Sequence, residues 1–247
     1  MNKRSSPRLP VAHNSTLSCE TCGNRSENEW CNLAPDELEL LDKVKTTNIY
    51  QPGQVVFYQG NPCLGIFCVE SGTVALRKTD AQGNSVIVRL VGGGETLGYR
   101  AFFAGGAYAS SAEVMASARI CFVDRDAVAD LLNRNPAIGH RFLRHMAQDL
   151  EASDQEQLNL ATLNVRARLS HLLLTLRDRF SEVDDEGNLI VELPLSRQDI
   201  ACMLGTRPET VARTIKGLES DEVAVFCGRT VTVFDLDRLF DEVELVS

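Results

Sequence analysis

The hydrophobic period changes from strand-like to helical near Asp124, and that change bounds the folds the chain can adopt. Between residues 49 and 123, short β-branched runs at 54–58, 65–70, 73–78, 85–90, 111–115 and 119–123 alternate with turn residues such as Pro52-Gly53, Gly60-Asn61-Pro62, Ser71-Gly72, Gln82-Gly83-Asn84 and Gly92-Gly93-Gly94. Strands this short and regularly spaced predict a small barrel or jelly roll. Beyond Asp124 the period is helical, with a short helix over 127–132, an uninterrupted pattern from Pro136 to about 164, and another helix over 165–180. A shorter helix over 34–44, with Pro35 in its first turn, precedes the strands.

The long pattern joins the two halves. Read with a period near 3.5, its apolar edge is Met146, Leu150, Ser153, Gln157 and Leu160, a seam whose middle is polar. Such a seam predicts a marginal dimerisation helix, and a solvated kink is the plain alternative.

The last third has the order of a winged helix-turn-helix. An acidic turn at 182–187 leads to a strand over 190–193, and Ser196 with Asp199 three residues on forms an acidic variant of the capping box. The helix it opens stops at Leu204-Gly205, Pro208 starts a new one, and β-branched runs at 223–226 and 230–234 close a hairpin. On the second helix Glu209, Ala212, Arg213 and Lys216 share one face. Glu209 suits a cytosine amino group, Arg213 suits the two acceptors of guanine, and Lys216, Arg207 and Arg197 suit phosphate. An ordinary solvated face with an internal pair between Glu209 and Arg213 is the bland reading.

Composition narrows the compartment and the chemistry. A formal charge of −9 over 247 residues argues against non-specific coating of nucleic acid, but not against a locally basic reading surface. The first residues are polar and carry no signal-peptide core, and nothing reaches membrane-spanning length, so a cytoplasmic protein with no membrane partner is expected. In a reducing compartment the eight cysteines point to metal, cluster or redox roles rather than disulfides, with inert buried thiols as the alternative. Cys19, Cys22 and Cys31 precede the first helix, and Cys121 lies in the last strand of the roll. Cys63 falls in a turn, Cys68 alternates as a core residue would, and Cys202 and Cys227 look like core fillers. None of the four histidines falls in the strand region, which argues against a cupin-type enzyme, and no compact acid, base and nucleophile set is visible.

These features together resemble the CRP/FNR family of transcription regulators. The resemblance runs from about Pro35 to Phe234 and is most specific in Leu195-Ser196-Arg197-Gln198-Asp199-Ile200 and Pro208-Glu209-Thr210-Val211-Ala212-Arg213. It implies an α+β fold with a cyclic-nucleotide-binding-type β-roll over 35–125, a dimerisation helix region over 126–164 and a winged helix-turn-helix over 165–247, after an N-terminal cysteine segment over 1–34. It also implies a non-enzymatic regulator, an activator, whose partners are double-stranded DNA, a second copy of itself and RNA polymerase. In the FNR branch a Glu, Ser, Arg triad reads half-sites resembling TTGAT; Glu209 and Arg213 match two members and Ala212 replaces the serine. Members that bind cAMP carry a Gly-Glu pair and then an Arg-Ser pair. Here the matching stretches are Gly98-Tyr99-Arg100 and Ala109-Ser110-Ser111-Ala112, so no cAMP is expected, although Arg100 leaves another anion open.

The cysteines match the FNR branch, in which three N-terminal thiolates and one from this strand hold an oxygen-labile [4Fe-4S] cluster; here Cys19, Cys22, Cys31 and Cys121 would be the ligands. The interval from Cys22 to Cys31 is longer than in that branch by about three residues, which costs little closure entropy. Structural zinc on the same thiols, or haem on His13, His140, His145 or a cysteine, are the alternatives. The same branch carries an aspartate at the position of Ser153 that opposes pairing without the cluster. An uncharged Ser153 therefore predicts appreciable dimer without it.

Overall fold

The computed structural model describes residues 18–24, 28–30, 33–184 and 187–244. After a short 3₁₀ turn at Cys19–Thr21 the elements run α1 (Pro35–Val44), β1 (Thr46–Tyr50), β2 (Val55–Phe57), β3 (Gly65–Thr79), β4 (Ser85–Val91), β5 (Thr96–Leu97), α2 (Tyr99–Ala104), β6 (Ser111–Asp124), α3 (Arg125–Arg134) and α4 (Pro136–Thr162). They continue through α5 (Val165–Phe180), β7 (Ser181–Val183), β8 (Leu189–Glu192), α6 (Arg197–Met203), α7 (Pro208–Ser220), β9 (Ala224–Cys227), β10 (Thr230–Val233) and α8 (Leu236–Glu244). The fold is the expected α+β roll, long helix and winged helix-turn-helix.

The roll is an antiparallel six-stranded sheet in the order β1-β6-β3-β4, with β2 added to β6 and β5 to β3. Two pairs of short strands expected from the sequence are each one long strand, β3 and β6, paired from Gly65 opposite Asp124 to Arg77 opposite Ser111. The Ser71-Gly72 signal that predicts a turn is instead a bulge, where the register shifts three times between Val69 and Val74. Gly72 has a φ of 92°, and a Cβ there would lie 2.3 Å from the Ser117 carbonyl oxygen, so only glycine lets the strands cross this closely. The roll's core takes in Trp30 and Leu33 from the N-terminal segment and Ile138 and Phe142 from α4.

Pro136 opens α4 behind the Asn135 cap, whose side chain accepts from the Ala137 amide at 3.2 Å. The following domain packs α5, α6, α7 and α8 against the sheet β7-β8-β10-β9, and its core also takes in Ala75 and Ile87 of the roll. The Ser196 to Asp199 capping box forms as expected, and Asp199 additionally accepts from Arg77 of β3 at 2.7 Å. Among the described residues no helix is long and apolar enough to cross a membrane.

Candidate functional site

Two surfaces carry the candidate residues. One is a pocket where the N-terminal segment meets α1 and the middle of β3 and β6. Cys68 and Cys121 are direct cross-strand partners there, so their side chains share one face of the sheet. The pocket is lined by Cys19, Cys22, Cys68 and Cys121, with Lys45, Trp30 and Glu70 among its other walls. Lys45 Nζ lies 3.1 Å from Cys19 Sγ and 2.6 Å from Asp42, and Asp42 also accepts from the Cys19 amide at 2.7 Å. These bonds fix the 3₁₀ turn to α1. Trp30 Nε1 donates to Cys68 Sγ at 3.0 Å, and Thr47 Oγ1 lies 3.4 Å from Cys121 Sγ.

Burial is the largest influence on these thiols. It pushes Cys19 up to about 12 in spite of the Lys45 ammonium, and it also raises Cys68 and Cys121. Binding a metal here would therefore expel protons as well as gain bonds. The donor chemistry is that of a thiolate site, soft sulfur suited to iron-sulfur clusters or zinc. Cys31 lies outside the described residues, and among those described no three cysteine, histidine or carboxylate side chains converge as metal ligands.

The other cysteines correct several expectations. Cys68 is not a plain core filler but faces the same pocket as Cys121, a pairing that only the strand register reveals. Cys63 is buried away from it, its Sγ 3.4 Å from the Gly65 carbonyl oxygen, so it serves packing rather than ligation. Cys227 is exposed, because strand alternation in β9 turns Ala224 inward and Cys227 outward, and Cys202 is only partly buried. As for haem, His145 has both ring nitrogens engaged, Nδ1 with Glu29 and Nε2 at 3.2 Å from Arg89, while His13 lies outside the described residues.

Arg100 is also spoken for. It donates to Asp149 at 2.7 Å, and Tyr99, buried, directs its hydroxyl to the same carboxylate. Gly98, Tyr99 and Arg100 begin α2, a helix the sequence reading missed.

The second surface is α7. Val211, Ile215 and Leu218 face the core, which leaves Glu209, Ala212, Arg213 and Lys216 exposed along the outer face, with Arg207 exposed at its start. No ion pair joins Glu209 to Arg213; the Arg213 guanidinium leans on Thr210 Oγ1 at 3.4 Å. Arg197 sits apart, partly buried, with its guanidinium 5.0 Å from the Phe226 ring of the wing, and it braces α6 against β9.

Along α4 the expected seam divides. Met146 packs on the roll's core, and Leu160 reaches the helix-turn-helix, where a Cβ on Gly205 would lie 3.3 Å from it. Gly205, at φ 59°, makes the turn between α6 and α7. Leu150, Ser153 and Gln157 remain exposed. The free stripe at heptad spacing is instead Leu143, Ala147, Leu150, Asp154, Gln157 and Ala161, all exposed. Met146 and Leu160 fall outside it because their side of the helix meets the chain's own domains.

With this geometry established, the relatives can be placed. A cyclic nucleotide-binding domain matches residues 47–135 and a Crp-like helix-turn-helix domain matches residues 167–241. The chain is a DNA-binding transcription regulator of the CRP/FNR family. Family members bind DNA, typically as dimers. The transcriptional activator protein FnrL of Cereibacter sphaeroides is 26% identical over 91% of each chain. The fumarate and nitrate reduction regulatory protein of Vibrio cholerae is 24% identical over 91% of this chain and 90% of its own. The CRP-like cAMP-activated global transcriptional regulator of Mycobacterium tuberculosis is 26% identical over 84% of this chain and 92% of its own. Among solved structures of the CRP/FNR fold, that of FixK2 from Bradyrhizobium japonicum superposes with a TM-score of 0.71 at 22% identity, over 80% of this chain and 96% of that one.

Proposed function

We propose that this regulator senses oxygen or a related redox signal through a [4Fe-4S] cluster held by Cys19, Cys22, Cys31 and Cys121, and reads an FNR-like palindrome as a homodimer. The observation that supports the reading is that Cys19, Cys22, Cys68 and Cys121 line one pocket, with Cys31 a few residues along the chain. The likeness, over 91% of the chain, to a fumarate and nitrate reduction regulatory protein and to anaerobic regulatory proteins supports it. When bound, such a cluster supplies iron-thiolate bonds whose integrity depends on oxygen. The chain's own residues do the rest. Asp42 and Lys45 anchor the Cys19 turn to α1, the strand pair holds Cys121 in place, and Trp30 ties the segment to Phe142 of α4 through an edge-on ring contact at 5.7 Å.

Pairing is assigned to Leu143, Ala147, Leu150, Gln157 and Ala161. Asp154 lies in the middle of that stripe, so two copies would face each other with like charges. This reverses the expectation drawn from Ser153: the cofactor-free chain should be mostly monomer. A dimer sets its two α7 helices about one DNA turn apart. Arg213 and Glu209 then read base edges, Ala212 leaves the outer half-site loosely read, Lys216 and Arg207 meet phosphate, and RNA polymerase is the expected downstream partner.

Anaerobic purification with visible absorption and iron and sulfide assay tests the cofactor. A brown protein with about four iron and four sulfide per chain, lost in Cys121→Ser, is expected. A colourless protein with one zinc per chain contradicts the cluster. For the reader, Arg213→Ala should lose about 1–3 kcal/mol of discrimination at the G·C pair in competition binding, and unchanged specificity would remove the assignment.

A further inference from the structure

The polar cluster between the cysteine segment and α4 has a role that neither the cysteines nor the recognition helix accounts for. Glu29, two residues before Cys31, is buried at 6% exposure, and its carboxylate bonds His145 Nδ1 of α4 and Thr96 Oγ1 of β5. His145 Nε2 accepts from Arg89 Nη2 of β4 at 3.2 Å. Arg89 is the hub: Nη1 grips both oxygens of Asp149 on α4 at 2.7 and 2.8 Å and touches the Tyr99 hydroxyl at 3.1 Å, and Nη2 donates to Glu95 at 2.8 Å. The second oxygen of Glu95 takes Arg179 Nη1 of α5 at 2.7 Å and the Gly92 amide, also at 2.7 Å. One connected set of bonds therefore runs from the cysteine segment, through the roll and α4, to the first helix of the DNA-binding domain.

The geometry points to a latch: the Glu29 to His145 bond couples the position of the cysteine segment to α4, and the Arg89 hub passes that coupling on to Arg179 and the DNA-binding domain. Three features make the set a coupler rather than incidental surface pairing. Its centre is buried or half-buried, from Glu29, Thr96 and Tyr99 to Arg89, Glu95, His145 and Asp149, with Arg179 its exposed end, so a partner lost near the centre leaves a poorly solvated charge and its neighbours must rearrange. It joins elements far apart in sequence, with 116 residues between Glu29 and His145 and 60 between Arg89 and Asp149. It also sits at the junction where α4 leaves the core, immediately before the exposed stretch from Leu150 to Leu158. The Tyr99 ring stacks on His145 with centroids 4.9 Å apart and closes the set on its apolar side. What moves the latch rests on the cluster reading above; the latch itself does not.

The test separates the two. In the cofactor-free full chain, hydrogen exchange of α4 amides over residues 142–150 is followed in Glu29→Gln, His145→Gln and the double variant. Each single change should speed exchange by about tenfold, and the double should match a single rather than reach about a hundredfold, because both remove one interaction. Unchanged exchange in the singles, or a multiplicative double, overturns the latch. In the second arm, the anaerobically loaded Glu29→Gln chain should hold as much iron and sulfide as the unsubstituted protein. Its dimer dissociation constant should then change less between loaded and cofactor-free forms, with the ratio approaching one. A ratio equal to that of the unsubstituted chain overturns the coupling. If the unsubstituted chain takes up no iron, the cluster reading fails, and the exchange cycle still decides the latch.

Discussion

The two halves of α4 are built on opposite plans. From Pro136 to Met146 the helix belongs to the roll: Ile138 and Phe142 are buried, Met146 packs beside them, and Phe142 meets the rings of Trp30, Tyr99 and Phe103. From Leu150 to Leu158 every residue is exposed, including Leu150 at 64% and Leu158 at 53%. Contacts within the chain account for Ile138, Phe142 and Met146 of the first half, and leave Leu143 and the leucines at 150 and 158 without a use. A helix anchored at its root and bare along its middle would transmit changes at the root to whatever pairs with its free stretch. On the proposed pairing, Asp154 in the middle of the bare stripe would face its own copy and make that pairing conditional.

The largest effect that sharpens this contrast is on stability. Phe142→Ala should cost about 3–5 kcal/mol in thermal unfolding of the monomer, since it opens a cavity in a fully buried site. Leu150→Ala should stay within about 0.5 kcal/mol. Equal losses from the two substitutions would mean that the bare half is packed after all. Next comes pairing: Asp154→Ala should tighten the cofactor-free dimer by about tenfold in sedimentation equilibrium, and an unchanged constant would move the seam elsewhere.

The smallest effect concerns the second link between roll and DNA-binding domain. Asp199 is buried, which works against its charge, but the Ser196 hydroxyl and amide and the Arg77 guanidinium outweigh that and hold its carboxyl below the usual range. Its stabilisation is thus present above the unfolded carboxylate value near ~4 and is lost as pH falls through the lower folded value. Asp199→Asn should cost about 1 kcal/mol at neutral pH and flatten the melting temperature's fall in acid. A variant whose acid sensitivity matches the unsubstituted chain would show that this contact adds nothing to what α4 already provides.

What the sequence made legible followed from local signals. The helix over 165–180 and the Ser196 to Asp199 box were expected and are found, because cap and apolar period agree there. The turn expected at Ser71-Gly72 within β3 is a bulge, since a glycine-marked bend looks the same in sequence whether the strand stops or carries on. The short α2 and the terminal α8 were missed; α2 spans only six residues between left-handed glycines, too few to show a period. At the site, the N-terminal cysteines and Cys121 stood out by residue type. Cys68 did not, because its partnership with Cys121 is a matter of register. Arg89, Glu29 and the α4 pair of His145 and Asp149 come together from three separate stretches of the chain, and no spacing rule links those stretches. Of the expected α4 seam, Met146 meets the roll's core and Leu160 lies beside Gly205, because the packing side of a long amphipathic helix depends on domains the pattern does not reveal.

The measurement that tests the account most directly is sedimentation velocity on one anaerobically loaded sample at micromolar concentration, repeated after the cofactor is lost in air. The loaded chain should sediment as a dimer and the cofactor-free chain mostly as a monomer of 27.2 kDa. A dimer of equal population in both states would contradict the claim that the cysteine end governs pairing along the bare half of α4.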